Sequence, residues 1–275
     1  MLASKQLHAE WFCLPEGDTI WKTAAGLRPH LAGRRILSAR PDRFRALDGS
    51  TLISIDPSGK HLVMSFDNGL AVHSHMRMTG SWHLYRPGEP WQKPERLARL
   101  VLTTENAVAV CFSAPVVNLL RQKEVGLDHL GPDILGADWD VEEIVRRARE
   151  SAAPTLGEVL LDQRVTAGIG NIYKCESLWD LRLDPWKPVV ETDDANLGAV
   201  FSEARRLLLG SIGQKAGPGR HFPSGHAAVH GRGGKGCPRC LGRIAVGRQG
   251  QAPRFTYFCP TCQQGGPPVD PRSPV

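Results

Sequence analysis

The sequence contains none of the features that direct a protein into or across a membrane. No uninterrupted apolar run reaches the roughly 18 residues that a membrane-spanning helix needs. The first fourteen residues hold neither the apolar core nor the small-residue cleavage site of a secretory signal. The seven cysteines are odd in number, which argues against a disulfide framework. We therefore expect a cytoplasmic protein that does not contact membranes.

Acidic residues are absent from the segment 213–262, although the chain as a whole carries a formal net charge of only +6. A field of one sign favours a polyanionic partner, because each phosphate that a cation neutralises releases a condensed counterion. The alternative interpretation is a basic surface that serves solubility alone. The basic residues of this segment are Lys215, Arg220, Arg232, Lys235, Arg239, Arg243, Arg248 and Arg254.

Length and patterning indicate two domains of the α+β class. A chain of 275 residues is long enough for two separate cores. Apolar residues recur at helical spacing over 18–31, with Asp18 or Thr19 as the capping residue. Short strand patterns follow, up to about residue 110, divided by Gly, Pro and Asn-Gly turns, and they predict a β-sandwich or barrel flanked by helices. Strands are predicted at 51–55, 61–66, 70–75 and 100–104.

Helical periodicity dominates the second half of the chain, with helices predicted at 141–150, 156–163, 171–181 and 195–209. The loop 129–135 (HLGPDIL) contains a Gly-Pro break and marks the domain boundary. A Gly/Pro/His-rich stretch at 213–225 leads to a cysteine module, and the Pro/Gly-rich tail is expected to be disordered. The predicted division is an N-terminal extension at 1–14, a β-sandwich domain at 15–130, a helical domain at 136–225, the cysteine module at 226–262 and the tail at 263–275.

Four cysteines form two C-x2-C pairs with eighteen residues between them: Cys237, Cys240, Cys259 and Cys262. A gap of two residues lets two sulfurs from one tight turn reach the same ion, and four thiolates match tetrahedral Zn²⁺. A redox-active dithiol is the alternative, but its thioredoxin-like surroundings are missing. We expect one structural zinc ion that pins a β-hairpin made of 243–248 and 255–258, joined by a turn at 247–252. Four protein ligands leave no coordination position for a catalytic water.

A connection punctuated by glycines joins two predicted helices at 160–177. Gly168 and Gly170 permit close approach of the backbone, and Asn171 stands at the start of the second helix. The N–H groups and the positive dipole end of a helix N-terminus suit a phosphate group. An ordinary connection between helices is the alternative.

The segment 160–179 (LLDQRVTAGIGNIYKCESLW) resembles the helix–two-turns–helix motif of the formamidopyrimidine-DNA glycosylase/endonuclease VIII family. The segment 229–262 resembles the family's C-terminal zinc finger, and HLGPDIL its interdomain stretch. The resemblance covers residues from about 15 to 262. It implies a β-sandwich domain followed by a helix–two-turns–helix bundle with a zinc-bound hairpin. It also implies a monomeric, nucleoid-associated DNA glycosylase and AP lyase that removes oxidised bases in base excision repair.

Pro15, Glu16 and Gly17 resemble the family's N-terminal catalytic tip. The resemblance implies that the secondary amine of the proline attacks C1′ of the damaged nucleotide, that a Schiff base forms as the base leaves, and that β,δ-elimination cuts the strand. An α-amine with a pKa near 8 is partly neutral and nucleophilic at pH 7. Glu16 would move protons at the sugar ring. Taken alone, this segment is also typical of a helix start.

Fourteen residues precede Pro15, and an acylated proline nitrogen cannot attack a sugar. We expect that synthesis starts with methionine at the position of Leu14, and that removal of this methionine exposes Pro15. An active enzyme that keeps Met1 would instead point to Lys60 as the nucleophilic amine. A permanently blocked Pro15 would leave a catalytically inactive DNA-damage-binding protein on the same scaffold. A zinc-ribbon module fused to an unrelated β enzyme is a further alternative.

The resemblance assigns DNA contacts to residues outside the catalytic tip. Lys60 matches a hairpin lysine that reaches the phosphate beside the lesion and assists catalysis, although a lysine at a turn is usually just solvated. Residues 73–82 resemble the loop that refills the duplex after base flipping, with Met78 as the wedge and Arg77 facing the unpaired base. The alternative places Met78 in the core of a strand. Arg254 is expected to project into DNA from the hairpin, or to be solvated.

Two departures resemble the endonuclease VIII branch of the family. Formamidopyrimidine glycosylases carry an Arg-Arg-Phe group before the interdomain stretch, where this chain has APVVNLL at 114–120. The stretch before the zinc module is also short for the loop that caps 8-oxoguanine. Oxidised pyrimidines in double-stranded DNA are therefore the expected substrates, and the missing void-filling residues also favour single-stranded or bubble DNA. Thr19 stands where the branch often has a glutamate, which leaves the contacts to the lesion open.

Overall fold

The computed structural model describes residues 15–213, 222 and 225–267. These residues form two compact units, and the boundary between the units falls between Asp128 and His129, at the start of the predicted loop. The N-terminal extension and the part of the tail beyond residue 267 lie outside the described residues. No helix in the described ranges is long and apolar enough to cross a membrane.

The first unit is an antiparallel β-sandwich with a helix packed on it. Its elements are α1 (Gly17–Leu31), β1 (Ser38–Arg40), β2 (Leu52–Ser58), β3 (His61–Phe66), β4 (Leu70–His75), β5 (Ser81–Tyr85), β6 (Ala98–Thr103), β7 (Val108–Phe112) and β8 (Val116–Arg121), with short 3₁₀ helices at Asp42–Leu47, Glu95–Leu97 and Gln122–Glu124. The two sheets have the strand orders β1-β6-β7-β5 and β2-β3-β4-β8. The helix α1 packs on β2 and β3, and its residues Ile20 and Leu27 share one buried core with Leu62, Trp82 and Leu100. The predicted sandwich is confirmed.

The N-cap of α1 lies two residues before the first of the predicted capping residues. The helix begins at Gly17, and Glu16 is its N-cap residue with an extended backbone. The Glu16 carbonyl accepts the N–H groups of Thr19 and Ile20 at 3.0 and 3.2 Å. The prediction that Asp18 or Thr19 caps the helix is therefore wrong, because both residues already lie inside the first turn and no side chain caps it.

The second unit packs helices around its own core and carries a two-stranded hairpin. Its elements are α2 (Val141–Glu150), α3 (Leu156–Val159), α4 (Asn171–Asp180), a 3₁₀ helix (Val189–Glu191), α5 (Asp194–Gly213), β9 (Ala245–Gln249), β10 (Arg254–Phe258) and α6 (Pro260–Gln263). Side chains from four helices meet in this core, among them Ile144, Leu156, Tyr173 and Phe201. The predicted class of two mixed domains is confirmed.

The helix predicted at 156–163 ends at Val159, and turns follow it. The cause is Asp162, whose side chain accepts the N–H of Arg164 at 3.0 Å and its guanidinium at 2.9 and 2.8 Å. A short acidic side chain that bonds to nearby backbone offers the chain an alternative to helical hydrogen bonds. The carbonyl of Gln163 bonds to the N–H of Gly131 at 2.8 Å, outside any helix.

The hairpin turn lies later than predicted, at residues 250–253. Gly247, which the sequence pattern places in the turn, lies inside β9 and pairs with Thr256. A glycine is needed at this position because the Trp186 ring packs against the backbone, and a Cβ there would stand 2.7 Å from that ring. Gly250, with φ of +86°, occupies the turn itself.

The disordered tail predicted from residue 263 is wrong at its first residue. Gln263 ends α6 and is only 2% exposed. Its side chain accepts the N–H of Cys259 at 2.8 Å and donates to the carbonyl of Leu183 at 2.8 Å. These hydrogen bonds close the second C-x2-C turn against the helical core.

Candidate functional site

Several ionisable side chains are buried at and just after the start of α1. Pro15 is half-buried and directly precedes Glu16, which is 3% exposed. Asp18 and Lys22 are 1% and 6% exposed. Charged groups are rarely buried without a partner or a chemical task, since leaving water costs free energy. The start of α1 is thus a concentrated group of acids and a base beside Pro15.

Lys60 occupies the tip of the hairpin between β2 and β3, after Gly59 with φ of +56°. The glycine allows the left-handed backbone that a two-residue turn requires. The charge of Lys60 acts on His75, which lies opposite His61 in the β3–β4 register. The hairpin therefore places this lysine at the same sheet end as the residues that follow β4.

Three histidines stand on one face of this sheet, the face opposite the sandwich core. His61 Nδ1 lies 2.8 Å from His73 Nε2, and the rings of His61 and His75 meet edge to face with centroids 4.6 Å apart. Burial, together with the charges of Arg77 and Lys60, lowers the pKa of His75 to about 4. The imidazole of His75 is therefore neutral at pH 7, and Lys60 and Arg77 supply the positive charge.

The sequence contained a signal for this histidine cluster that the prediction did not use. His73 and His75 are two residues apart in β4, so they share one face of the sheet. The third member depends on register, because His61 pairs with His75 only in the observed alignment of β3 and β4.

Residues 77–79 form an exposed turn between β4 and β5. Met76 is 1% exposed and belongs to the core, whereas Met78 is 64% exposed. The alternative that placed Met78 in a strand core does not hold. Arg77 has φ of +46°, and its N–H donates to His75 Nδ1 at 3.2 Å. Gly80 follows the turn at a position where only glycine fits, because a Cβ there would lie 2.8 Å from the backbone of Met76 and Ala114.

In the second unit, the loop before the helices braces the connection between α3 and α4. Ala167 donates its N–H to the Pro132 carbonyl at 2.9 Å, and Ile134 donates to the Ala167 carbonyl at 2.9 Å. The Gln163 amide bridges the turn, since its Oε1 accepts the N–H of Gly168 and its Nε2 donates to the Ile169 carbonyl. These bonds hold the residues in front of α4 in one arrangement.

Asn171 is the first residue of α4, and its side chain contacts the hairpin. Its Nδ2 donates to the Phe255 carbonyl at 2.8 Å, while its buried Oδ1 has no hydrogen-bond partner among the described residues. Arg254, the residue before Phe255, is exposed at the start of β10. The structure thus brings Asn171 next to the strand that carries Arg254.

The four cysteines of the two C-x2-C pairs form a cluster that could hold a metal ion. Their sulfur atoms all lie within 4.8 Å of one another, with 3.9 Å between Cys237 and Cys262 and 3.4 Å between Cys240 and Cys259. A tetrahedral ion with metal–sulfur bonds of about 2.3 Å would place its sulfurs about 3.8 Å apart. The sulfur spacing therefore fits such an ion.

The thiols of the cluster differ in pKa. Burial raises the pKa of the Cys237 thiol, but the N–H groups of Arg239 and Cys240 outweigh it and bring the pKa to about 6. Burial and the neighbouring thiols raise the pKa of Cys262 to about 12. Thiolates this close repel one another, so the cluster can ionise fully only around a cation.

The cysteine module is docked on α4 by contacts that the sequence did not predict. The Glu176 carboxylate, 4% exposed, accepts the N–H groups of Ala228, Val229 and His230 at 2.6, 3.0 and 2.8 Å. The Arg239 guanidinium lies 4.0 Å from the centroid of the Trp179 ring, and the Trp179 Nε1 donates to Cys237 Sγ at 3.4 Å.

A buried polar chain adds a second connection between α4 and the hairpin. Lys174, fully buried, donates to Thr256 Oγ1 at 2.7 Å, and Thr256 donates to Gln249 Oε1 at 2.9 Å. The Gln249 amide donates to Thr155 Oγ1 and to the Pro185 carbonyl. Sequence patterns could not reveal this chain, because its members are far apart along the polypeptide.

Comparison with known proteins accounts for both units. The formamidopyrimidine-DNA glycosylase N-terminal domain matches residues 14–115, and the formamidopyrimidine-DNA glycosylase H2TH domain matches residues 130–221. The chain is 39% identical over 264 residues to a probable endonuclease 8 2 of Streptomyces coelicolor, covering 93% of this chain and 96% of that protein. It is 32% identical to the DNA-(apurinic or apyrimidinic site) lyase Nei2 of Mycolicibacterium smegmatis, covering 91% and 99%.

A solved structure agrees with these sequence matches. The crystal structure of the MutM (Fpg) protein of Thermus thermophilus matches with a TM-score of 0.76 and 27% identity, over 92% of this chain and all of that chain. The relatives that match over nearly their whole length include proteins named endonuclease 8, which is the branch that the departures at 114–120 suggested. The chain belongs to the formamidopyrimidine-DNA glycosylase family.

Proposed function

We propose that this protein is a DNA glycosylase and AP lyase of base excision repair that removes oxidised bases, with a preference for pyrimidines. The observation that carries the proposal is the buried Glu16 directly after Pro15 at the start of α1, inside the segment that matches the family's N-terminal domain. A buried acid beside an amine suits proton transfer at a sugar. The names of the matched relatives, endonuclease 8 and DNA-(apurinic or apyrimidinic site) lyase, support the same activity.

The proposed chemistry begins at the nitrogen of Pro15, which must be a free secondary amine. This nitrogen bonds to C1′ of the damaged nucleotide while the base leaves with a proton taken from an acid. The C1′–O4′ bond then breaks, and O4′ takes the proton that the amine loses. The resulting iminium makes the adjacent sugar protons acidic, and two eliminations release the 3′ and then the 5′ phosphate. Water hydrolyses the remaining imine and restores the amine. An α-amine has a pKa near 8, so about a tenth of it is neutral at pH 7.

The other residues would bind and shape the DNA. Lys60 and Arg77 lie at one end of the β2-β3-β4-β8 sheet, where their charges suit phosphate and an unpaired base. The exposed Met78 would fill the space that the flipped base leaves, since an apolar wedge replaces lost stacking. Asn171 and Arg254 would hold the backbone from the second unit.

We assign one structural Zn²⁺ to Cys237, Cys240, Cys259 and Cys262. The sulfur spacing and the crowding of the thiols support this assignment. The ion would fix the C-x2-C turns on either side of β9 and β10, and thereby the position of Arg254. It supplies no reacting group, because the four thiolates fill its coordination sphere.

Borohydride trapping tests the proposal. Proteins starting at Met1 and at Pro15, each verified by mass spectrometry, would be incubated with duplexes containing an oxidised pyrimidine or an abasic site. We expect a reducible covalent adduct for the chain that starts at Pro15, and its loss when an acetyl group blocks that nitrogen. Glu16→Gln should bind the abasic duplex but form the adduct more slowly.

The same experiment separates the alternatives. A chain starting at Pro15 that binds abasic DNA without forming an adduct would be a damage-binding protein. A chain that keeps Met1 and still forms an adduct would point to Lys60, and Lys60→Ala would then remove the adduct. A strong preference for oxidised purines over pyrimidines would overturn the substrate assignment alone.

A further inference from the structure

Phe255 is an exposed aromatic residue in an otherwise well-anchored hairpin. Its side chain is 54% exposed. Residues on the other face of the same strands, Thr256 and Gln249, are 0% and 6% exposed and belong to the polar chain that starts at Lys174. The hairpin therefore has one face committed to the core of the second unit, whereas its other face is open to solvent at Phe255.

Arg248 accompanies Phe255 on the exposed face. The two residues are direct partners in the β9–β10 register, and the Arg248 guanidinium lies 5.6 Å from the centroid of the Phe255 ring. This distance is within the range of a cation–π contact. Both residues are exposed. Arg254 is also exposed, but it pairs with Gln249 and so lies on the other face of the hairpin. An aromatic ring and one guanidinium group are thus presented together on this face.

The backbone under Phe255 is held in place. Its carbonyl accepts the Nδ2 of Asn171, the first residue of α4, at 2.8 Å. Thr256, the next residue, is fixed by Lys174. A ring on such a rigid strand loses little conformational freedom when it binds a ligand.

The charge of this region indicates the chemistry of the ligand. Residues 225–262, which the structure describes, include six basic residues and no acidic one. Proteins that bind unpaired nucleic acid combine a positive surface with aromatic side chains on which bases stack.

We propose that Phe255 and Arg248 form a stacking surface for an unpaired base of the bound DNA. The inference rests on the proposed function in one respect, that DNA is the ligand. Arg248 would neutralise a phosphate beside the stacked base. The surface would favour substrates in which a strand is locally unpaired, such as a bubble, a fork or a single strand.

The test uses the full chain and DNA without a lesion, so that no chemistry occurs. The probe is an oligonucleotide with 2-aminopurine in a single strand or in a forked duplex, whose fluorescence reports stacking. A blunt duplex of the same sequence provides the comparison. The variants are Phe255→Ala, Phe255→Leu and Phe255→Trp. Val190→Ala is the control, because Val190 is an apolar residue of the same unit with 87% exposure.

We expect Phe255→Ala to weaken binding of the unpaired probes by about fivefold or more, as the loss of one stacked base does elsewhere. Phe255→Leu should lose as much, whereas Phe255→Trp should bind like the unchanged protein and alter the probe's fluorescence. Val190→Ala and all binding to the blunt duplex should stay unchanged. Melting temperatures of the variants show whether a loss comes from unfolding, and Arg248→Gln provides a second variant if Phe255→Ala is unstable.

Three results would overturn the inference: unchanged binding by Phe255→Ala, full binding by Phe255→Leu, or an equal loss on the blunt duplex. Failure of the proposed function gives a different pattern. In that case borohydride trapping by the chain starting at Pro15 fails, while the fluorescence response of the lesion-free probes and its dependence on Phe255 persist.

Discussion

Replacing Glu176 by alanine should detach the start of the cysteine module from α4. The carboxylate accepts three backbone N–H groups, of Ala228, Val229 and His230, between 2.6 and 3.0 Å. Ala228 and Val229 are 6% and 0% exposed, so water cannot simply replace the lost acceptor. A buried donor left without a partner costs about 1–3 kcal/mol. Since the segment can move and recover part of this, we expect a total loss of about 3–5 kcal/mol.

Glu176→Gln refines the same prediction. Its single carbonyl oxygen can keep the N–H groups of Val229 and His230, which bond to Oε1 of the native side chain. Its amide group would face the N–H of Ala228, where Oε2 now accepts. Two donors then face each other, so this variant should lose about 1–3 kcal/mol and lie between the native protein and Glu176→Ala.

The assay is thermal unfolding of the full chain prepared with zinc, the proposed ion, combined with hydrogen exchange at residues 228–230. One kcal/mol shifts the melting temperature by about 2–4 °C in chains of this size, so Glu176→Ala should melt at least about 6 °C lower. Glu142→Ala, an exposed glutamate of α2, is the control and should change stability little. Equal melting temperatures for Glu176→Ala and the native protein, with unprotected amides at 228–230 in both, would refute the reasoning.

Three further predictions concern packing, pH and the metal. Gly131→Ala should lower the melting temperature, because the added Cβ would lie 2.5 Å from the carbonyl oxygens of Arg164 and Val165. Gly210→Ala in α5 is the control, since its Cβ would meet nothing within 4 Å and should not destabilise the protein. Equal melting temperatures for the two variants would contradict this prediction. Burial and the charge of Lys93 lower the pKa of His83 from 6.5 to about 4, so the free energy of unfolding should fall as the pH drops from 6.5 towards 4. Unfolding measured at pH 7.5 and pH 5 should show a smaller loss of stability for His83→Gln than for the native protein. Removing the proposed zinc with a chelator should change the tryptophan fluorescence, since Trp179 donates to Cys237, and should weaken DNA binding. Metal content is measured alongside, and a metal-free protein with unchanged fluorescence and DNA binding would show that the ion is not structural.

Patterns that lie close together in the sequence predicted much of this protein. The strands at 61–66 and 70–75 and the helix at 141–150 coincide with the observed elements, because each pattern repeats several times within one element. The two C-x2-C pairs predicted a cluster for one ion, since each pair is held by a local turn. These inferences needed no knowledge of distant contacts.

Errors arose where a distant residue determines the local structure. Glycine is typical of turns, yet Gly247 lies in β9, where the absence of a side chain leaves room for the Trp186 ring. The end of α3 depends on the turn that Asp162 builds and on the bond from Gly131 to the Gln163 carbonyl. Gln263 looked like the start of a tail, but its side chain bonds to Cys259 and Leu183.

The sequence by itself determined the class of the protein, its family, the four clustered cysteines and the segments that carry the proposed chemistry. Only the tertiary structure decided which side chains meet: His61 with His73, Glu176 with the N–H groups at 228–230, and Phe255 with Arg248. The physical reason is the range of the interactions. Helical and strand periodicities and turn spacings are set by neighbours along the chain, whereas strand register and docking between elements depend on packing among residues that the sequence leaves far apart.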